Sequence, residues 1–506
     1  MTDQQATEAP APHQPVRTIF GALMLVMLLA SLDSTIVSTA LPTIVGEFGE
    51  LSHLSWIVTA YLLASTVVTP IYGKLGDLFG RKVVLQSAIV IFLAGSALCG
   101  LSRSMGQLIA FRAIQGLGGG GLIVSTTAAI GDIISPRDRP KYQGLFGAVW
   151  GLSTILGPLI GGFFVEQVSW RWIFYINLPL GLLVVLVLGW AFTAPPPSRQ
   201  PRIDAAGAVL LAVSLTALIL FTSLGGNTLA WGSPGALGLA AAFLVGIVAF
   251  AAVERNAAEP ILPLGLFRNG VFSICCAVGF IVGLSMFGSI TFMPLYLQVV
   301  KGITPTHAGM ALAPMMAGML MTSIATGRII HRIGRYRPFP IIGTAVMTIG
   351  LGLLGTLKLD TAVPVACGFV MLLGVGMGLV MQVLVLAVQN AVEYRHLGVA
   401  TSGSMLFRSI GGSVGVSVFG AIFTAALTSD LAHLLPAGTP IPTATAPASI
   451  QALPMAERTI YLQAFTAALH PVFVYAAVIA AFAFVLTWFL KGLPLRGGAP
   501  IQRTRR

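Results

Sequence analysis

The chain has 506 residues, of which 56% are hydrophobic and 9% charged, and carries a net charge of +12. Soluble globular domains hold about 25% charged residues, so a soluble fold is excluded and a polytopic membrane protein is expected. The basic balance then reads as a topology signal rather than a nucleic-acid footprint. The 4 cysteines lie in apolar runs without a CxxC pair, and the 7 histidines show no paired metal spacing. No nucleophile–base constellation stands out either, so an enzyme, a cofactor and a metal are not expected.

Residues 1–18 are polar and Pro/Ala-rich and are expected to form a disordered tail, with no cleavable signal peptide. Apolar stretches of about 20 residues, enough to cross a bilayer core, then recur. Fourteen spans are expected near 19–44, 54–72, 83–101, 106–131, 143–165, 173–194, 205–224, 235–253, 271–299, 308–328, 339–357, 363–390, 398–427 and 468–490. The first contains "LASLDSTIVSTALPTI", with Asp33 deep in the apolar run. An ionised carboxylate there is costly, roughly 2.5–3.5 kcal/mol on insertion scales. Three readings follow: a proton-coupling site in a cavity that opens to each side in turn, a fixed ion pair with Arg112, or an acid bonded to nearby serines. At 100° per residue Ser31, Ser34, Thr35 and Ser38 share one stripe and Asp33 lies opposite it. If Asp33 faces the cavity, the stripe packs on a helix; if Asp33 faces another helix, the stripe lines the cavity.

The loop "GKLGDLFGRK" (73–82) places Gly73, Gly76 and Gly80 in a tight turn with Lys74, Arg81 and Lys82. Asp77 is an acid in a basic loop, able to meet a helix N-terminus or an arginine and so to latch that face closed. The fourth span, "LIAFRAIQGLGGGGLIV", holds Arg112 and, three residues on and on the same face, Gln115. Its glycines 118–121 lack the lysine of a phosphate loop and read as close packing. The fifth, "GAVWGLSTILGPLIGG", repeats small residues four apart, with Gly157 and Pro158 as a possible bend. "GRIIHRIGRY" (327–336) repeats 73–82, with Gly73, Lys74, Gly80 and Arg81 matched by Gly327, Arg328, Gly334 and Arg335, and His331 in place of Asp77.

The repeat divides the chain into an N-terminal six-helix bundle (19–194), a linker with two inserted helices (195–270), a C-terminal six-helix bundle (271–490) and a basic tail (491–506). The long segment 428–467 is expected outside, with an interfacial helix near "SIQALPMAERTIYLQAF". Basic residues gather on one set of connections, while the other set holds only Arg103, Arg171, Lys301, Lys358 and Arg458. The positive-inside rule therefore puts both termini in the cytoplasm. Two parallel six-helix repeats are transporter logic, with the substrate site between the halves. Tyr61, Gln115, Trp150, Phe287, Tyr296, Met316, Met381, Gln382, Phe407 and Arg408 are the candidates to line it, the methionines and aromatics as adaptable surface.

Taken together, these motifs resemble the major facilitator superfamily and, within it, the fourteen-helix drug:proton antiporter family. The 73–82 loop, the Arg112–Gln115–Gly116 helix and the glycine-rich fifth span are similar to its signatures, as are "LDSTIVSTALPTI" and "WRWIFYINLPLG" (170–181). The resemblance implies two six-helix bundles plus an inserted hairpin, and a monomeric inner-membrane exporter of lipophilic or cationic drugs. Protons would be the coupling ion, with Asp33 and Arg112 in proton transfer and Asp77 at the inner gate. An exporter of one endogenous lipid or metabolite on the same fold is the alternative; a membrane enzyme or passive pore is more distant.

Overall fold

A computed structural model describes residues 16–48, 53–192, 203–226, 228–434, 450 and 454–495. Hydrocarbon offers no partner to a free backbone N–H or C=O, so a spanning segment must satisfy its own. Among the described residues the chain answers with helices: α1 (Val16–Phe48), α2 (Leu54–Phe79), α3 (Arg81–Leu101), α4 (Met105–Ile133), α5 (Arg139–Gln167), α6 (Trp172–Ala191), α7 (Ala205–Leu224), α8 (Pro234–Glu254), α9 (Gly270–Val299), α10 (His307–Ile333), α11 (Pro338–Leu354), α12 (Val363–Ala391), α13 (Leu397–Leu434) and α14 (Met455–Trp488). All except α11 are long and apolar enough to cross a membrane, and α11 is a shorter apolar helix of 17 residues.

The packing repeats. In the first half α1 pairs with α5 and α6, α4 with α2 and α3, and α3 with α6. In the second half α9 pairs with α13 and α14, α12 with α10 and α11, and α11 with α14. Each helix of α1–α6 thus has its counterpart eight places on. The crossings between halves exchange in the same way: α2 packs on α13, and α10 on α5. The turn glycines correspond too, since Gly80 and Gly334 follow α2 and α10 with φ of 93° and 68°, values that suit glycine. This is the all-helical architecture of two six-helix bundles. The remaining α7 and α8 form a hairpin that leans through α7 on α2 and α13, while α8 presents Leu244, Val245 and Val248 outward, as a lipid-facing helix does.

Three boundaries differ most from the sequence expectation. Helix α2 runs to Phe79, held through its last turn by the Asp77–Arg81 pair four residues apart. Helix α13 continues to Leu434, and α14 starts at Met455 with Glu457 in its first turn, where a carboxylate favours the helix dipole. The outer connection expected over 428–467 is therefore much shorter. The stretch offered as an interfacial helix belongs, from Met455 on, to the last span; residues 449 and 451–453 lie outside the described residues. The extensions also bring Asp430 and Glu457, near the ends of α13 and α14, into second-half helices.

Candidate functional site

Helix α4 sits against both α2 and α3 because its glycines bring the backbones together. A Cβ on Gly116 would lie 2.5 Å from the Tyr61 carbonyl, and one on Gly118 2.6 Å from the Ala88 carbonyl. This approach carries Arg112 and Gln115 into the middle of the first bundle, where they meet Asp33. Arg112 Nη1 is 2.8 Å from Asp33 Oδ2, and Gln115 Nε2 donates to Asp33 Oδ1 at 2.8 Å. Asn177 Nδ2, on α6, donates to the same Oδ1 at 3.2 Å. Ser96 Oγ on α3 accepts from Gln115 and Asn177 and donates to the Phe174 carbonyl.

Arg112 is itself further held. It donates to Gln115 Oε1 at 2.7 Å and to the Ile57 carbonyl at 3.3 Å, and its guanidinium lies 4.2 Å from the centre of the Tyr61 ring. Asp33 is 0% and Arg112 1% exposed. Of the three readings of Asp33, the geometry is that of the ion pair: both carboxylate oxygens are engaged inside α1, α3, α4 and α6, and Asp33 does not face an open cavity. The serines are not its partners. Thr35 Oγ1 bonds the Ser153 carbonyl on α5 at 3.0 Å, while Ser34 and Ser38 are exposed. Gly157 makes the α1–α5 contact close, a Cβ there lying 3.2 Å from the Ile36 nitrogen, and the neighbouring Pro158 lies on the exposed side of α5.

At the end of the bundle carrying the basic loops, Asp77 does both things its chemistry allows. It pairs with Arg81 and accepts from the first backbone N–H groups of α13, Gly398 N to Oδ1 at 3.0 Å and Val399 N to Oδ2 at 2.8 Å. Gly73 permits the contact, since a Cβ there would sit 2.6 Å from Ser402 Cβ. In the second copy His331 Nδ1 donates to the Arg137 carbonyl at 3.0 Å and lies 3.5 Å from Asp138, the residue preceding α5. The acid-to-helix contact of one half is answered by an imidazole-to-acid contact in the other. Between these latches Gln143 donates to Gln389 at 2.8 Å, Gln389 donates to the Thr127 carbonyl at 3.3 Å, and Ser323 donates to the Gly144 carbonyl at 3.1 Å. Among the described residues, the hydrogen bonds between the halves gather at this end.

Away from it, α2, α13 and α7 line an open cavity of about 1030 Å³. Of the ten residues expected to line a substrate cavity, the nine with described side chains do not line this one. Tyr61 and Gln115 are taken up by the Asp33 cluster. Tyr296 is buried and bonds the Lys358 carbonyl, Met316 is buried where α10 meets Gly151, and Trp150 packs into the second-half core. Phe407 stacks edge-on to Phe267, and Gln382 is half-buried on α12. Arg408 and Met381 share a small niche with Gly279 and Ser404, Arg408 Nη1 lying 3.3 Å from the Met381 sulfur, and no described carboxylate pairs with Arg408. The side chain of Phe287 lies outside the described residues. The physical reason is size. Large adaptable side chains fill cores, whereas the cavity is bounded by the residues that leave room: Gly412, Ser413, Ser417, Gly420 and Thr424 of α13. Their recurrence every three or four residues from Ser413 on was visible in the sequence; Ser96 and Asn177, neutral and far apart in the chain, gave no comparable signal.

A family model described as the Major Facilitator Superfamily matches residues 23–416. The chain belongs to the major facilitator superfamily. It is similar to an uncharacterized MFS-type transporter of Mycobacterium tuberculosis, 42% identical over 95% of this chain and 70% of that protein. It is 44% identical to the multidrug transporter MdtP of Bacillus subtilis, over 81% of this chain and 76% of that one. Among solved structures it resembles the human organic anion transporter MFSD10 (TM-score 0.64, 16% identity, 94% of this chain and 99% of that one). It also resembles the proton:xylose symporter XylE (TM-score 0.65, 14% identity, 94% and 96%). These two share the fold. As a superfamily member with multidrug and efflux relatives, the chain is a multi-pass membrane transporter and not an enzyme.

Proposed function

We propose that this transporter is a proton-coupled antiporter that exports lipophilic or cationic small molecules across the cell membrane by alternating access, with both termini cytoplasmic. The observation that carries the reading is Asp33, a carboxylate wholly inside the first bundle and neutralised by Arg112. Protonating Asp33 removes the charge that holds Arg112, Gln115 and Asn177 together, and a rearranged cluster changes how α1 and α4 sit in their half. A buried ion pair that loses one charge leaves the other uncompensated, a difference of several kcal/mol. One charge moved through 100 mV is worth about 2.3 kcal/mol, so the scales match. The multidrug names of two Bacillus subtilis relatives support the export of foreign compounds. The latched basic end and the cavity opposite it suit the outward-facing stage of such a cycle.

The test is reconstitution into vesicles with an imposed pH gradient and ethidium as probe. The native chain is expected to accumulate ethidium against its gradient, with matching proton movement. Asp33→Asn should lose gradient-driven accumulation at least tenfold yet keep ethidium–ethidium exchange. Undiminished coupling in Asp33→Asn would overturn the reading.

A further inference from the structure

The large cavity has a composition that specifies its occupant. Among the described residues that line it none is ionisable. Hydroxyls are abundant, and those of Thr59, Thr66, Ser223, Ser409 and Ser429 make no hydrogen bond within the described protein, so they are free to bond a guest. The wall contributed by α13 runs from Ser409 to Ala432, a groove about 35 Å long at 1.5 Å per residue. Its volume, about 1030 Å³, sits at the upper end of small-molecule sites, roughly 300–1,000 Å³.

The inserted hairpin completes it. Thr222 Oγ1 lies 2.9 Å from Ser413 Oγ, and Ser417 donates to the Thr222 carbonyl at 2.5 Å, tying α7 to α13. Beyond α7 the chain folds back, Gly226 N donating to the Leu229 carbonyl at 2.8 Å, and Trp231 is set edge-on to Phe221 at 5.2 Å. Trp231 lines the cavity at the hairpin tip. Without α7 and this tip, the groove between α2 and α13 would lack a wall.

We infer that this cavity is a binding vestibule for elongated, uncharged lipophiles bearing hydroxyl, ether or carbonyl oxygens, and that the inserted α7–α8 hairpin is present to build it. The inference rests on the transport reading above and concerns its uncharged lipophilic substrates; ethidium, a cation, reports antiport without occupying this vestibule. A cation entering would lose hydration and meet no carboxylate, because Asp33 is consumed by Arg112. An anion would fare no better, since Arg408 lines the separate niche with Met381. A neutral lipophile loses little on leaving water and gains apolar burial along the groove, with the free hydroxyls fixing its oxygens.

The test uses full-length protein in lipid nanodiscs with no gradient, Nile red as the uncharged probe and tetraphenylphosphonium as the cationic one. Gly420 lines the cavity and a Cβ there meets nothing within 4 Å, so Gly420→Trp fills the space without displacing backbone. It is expected to weaken saturable Nile red binding at least tenfold. Gly368→Trp, equally unobstructed and on the exposed side of α12, should stay within twofold. Trp231→Ala, at the hairpin tip, is the second variant and should weaken binding about fivefold. Tetraphenylphosphonium should not displace Nile red at equal concentration. Unchanged affinity in Gly420→Trp and Trp231→Ala, or equal displacement by the cation, would overturn the vestibule. The two readings separate cleanly. Normal Nile red binding in Gly420→Trp alongside a proton-uncoupled Asp33→Asn removes the vestibule and keeps antiport; the reverse pair of results removes antiport and keeps the vestibule.

Discussion

At the scale of single residues, Asp33 and Arg112 are acceptable in an apolar bundle only because each is the other's counter-charge. The neutral donors Gln115 and Asn177 then take up the remaining oxygen. Removing the cation is therefore the harsher change. Arg112→Ala leaves a buried carboxylate and is expected to cost about 3–5 kcal/mol, whereas Asn177→Ala removes one donor of several and should cost about 1–3 kcal/mol. Thermal unfolding of the purified variants in one detergent checks the order; a smaller loss for Arg112→Ala would mean that water reaches Asp33. Asp33, Arg112 and Gln115 were legible in the sequence because charge inside an apolar run is rare, and because a three-residue spacing puts Arg112 and Gln115 on one face. Asn177 and Ser96 were not, since a neutral polar residue in a membrane helix is common and only the packing of α3 and α6 on α1 and α4 makes these two matter.

At the scale of elements, the contact of α2 with α13 is an acid laid on a helix N-terminus. Two N–H groups of α13 reach Asp77, and Arg81 holds the carboxylate from behind. Hydrogen bonds to a charged group contribute about 1.5–3 kcal/mol each, and 1.4 kcal/mol is tenfold in population. Asp77→Asn keeps the shape and loses the charge, so the basic end should open at least tenfold more often. A cysteine at Ser402, buried against Gly73, reports this directly: maleimide labelling should quicken by about that factor in the Asp77→Asn background, and an unchanged rate would show that the latch carries no weight. The tight turn and the kind of partner its acid meets could be read from Gly80 and Asp77 in the sequence. The helix ends could not, because α2, α13 and α14 run beyond their apolar windows on polar residues, which hydropathy alone does not assign to a helix.

At the scale of the molecule, two homologous bundles meet through exchanged pairs, α2 with α13 and α5 with α10. The repeat was readable because glycine, cation and turn recur in both copies. The conformational state was not, because which contacts the two halves make with each other is a property of their packing and not of the pattern along any one helix. The structure shows the basic-end set, including Gly147 of α5 against Ser323 of α10, where a Cβ on Gly147 would lie 2.9 Å from Ser323 Cβ. A disulfide prefers a Cβ separation of about 3.8 Å, so a slight separation of the helices accommodates Gly147→Cys with Ser323→Cys. Cys99, Cys275 and Cys276 are buried, and the half-buried Cys367 is removed by Cys367→Ser in every variant. If this interface must part in every cycle, oxidation of the double variant should abolish ethidium accumulation in vesicles and dithiothreitol should restore it, with each single variant unaffected by either reagent. Nile red binding to the cavity on the far side should survive oxidation, because the cross-link holds the conformation in which that cavity is formed. Accumulation that continues in fully cross-linked protein would mean that the α5–α10 contact is a fixed seam and that the halves move about it rather than through it.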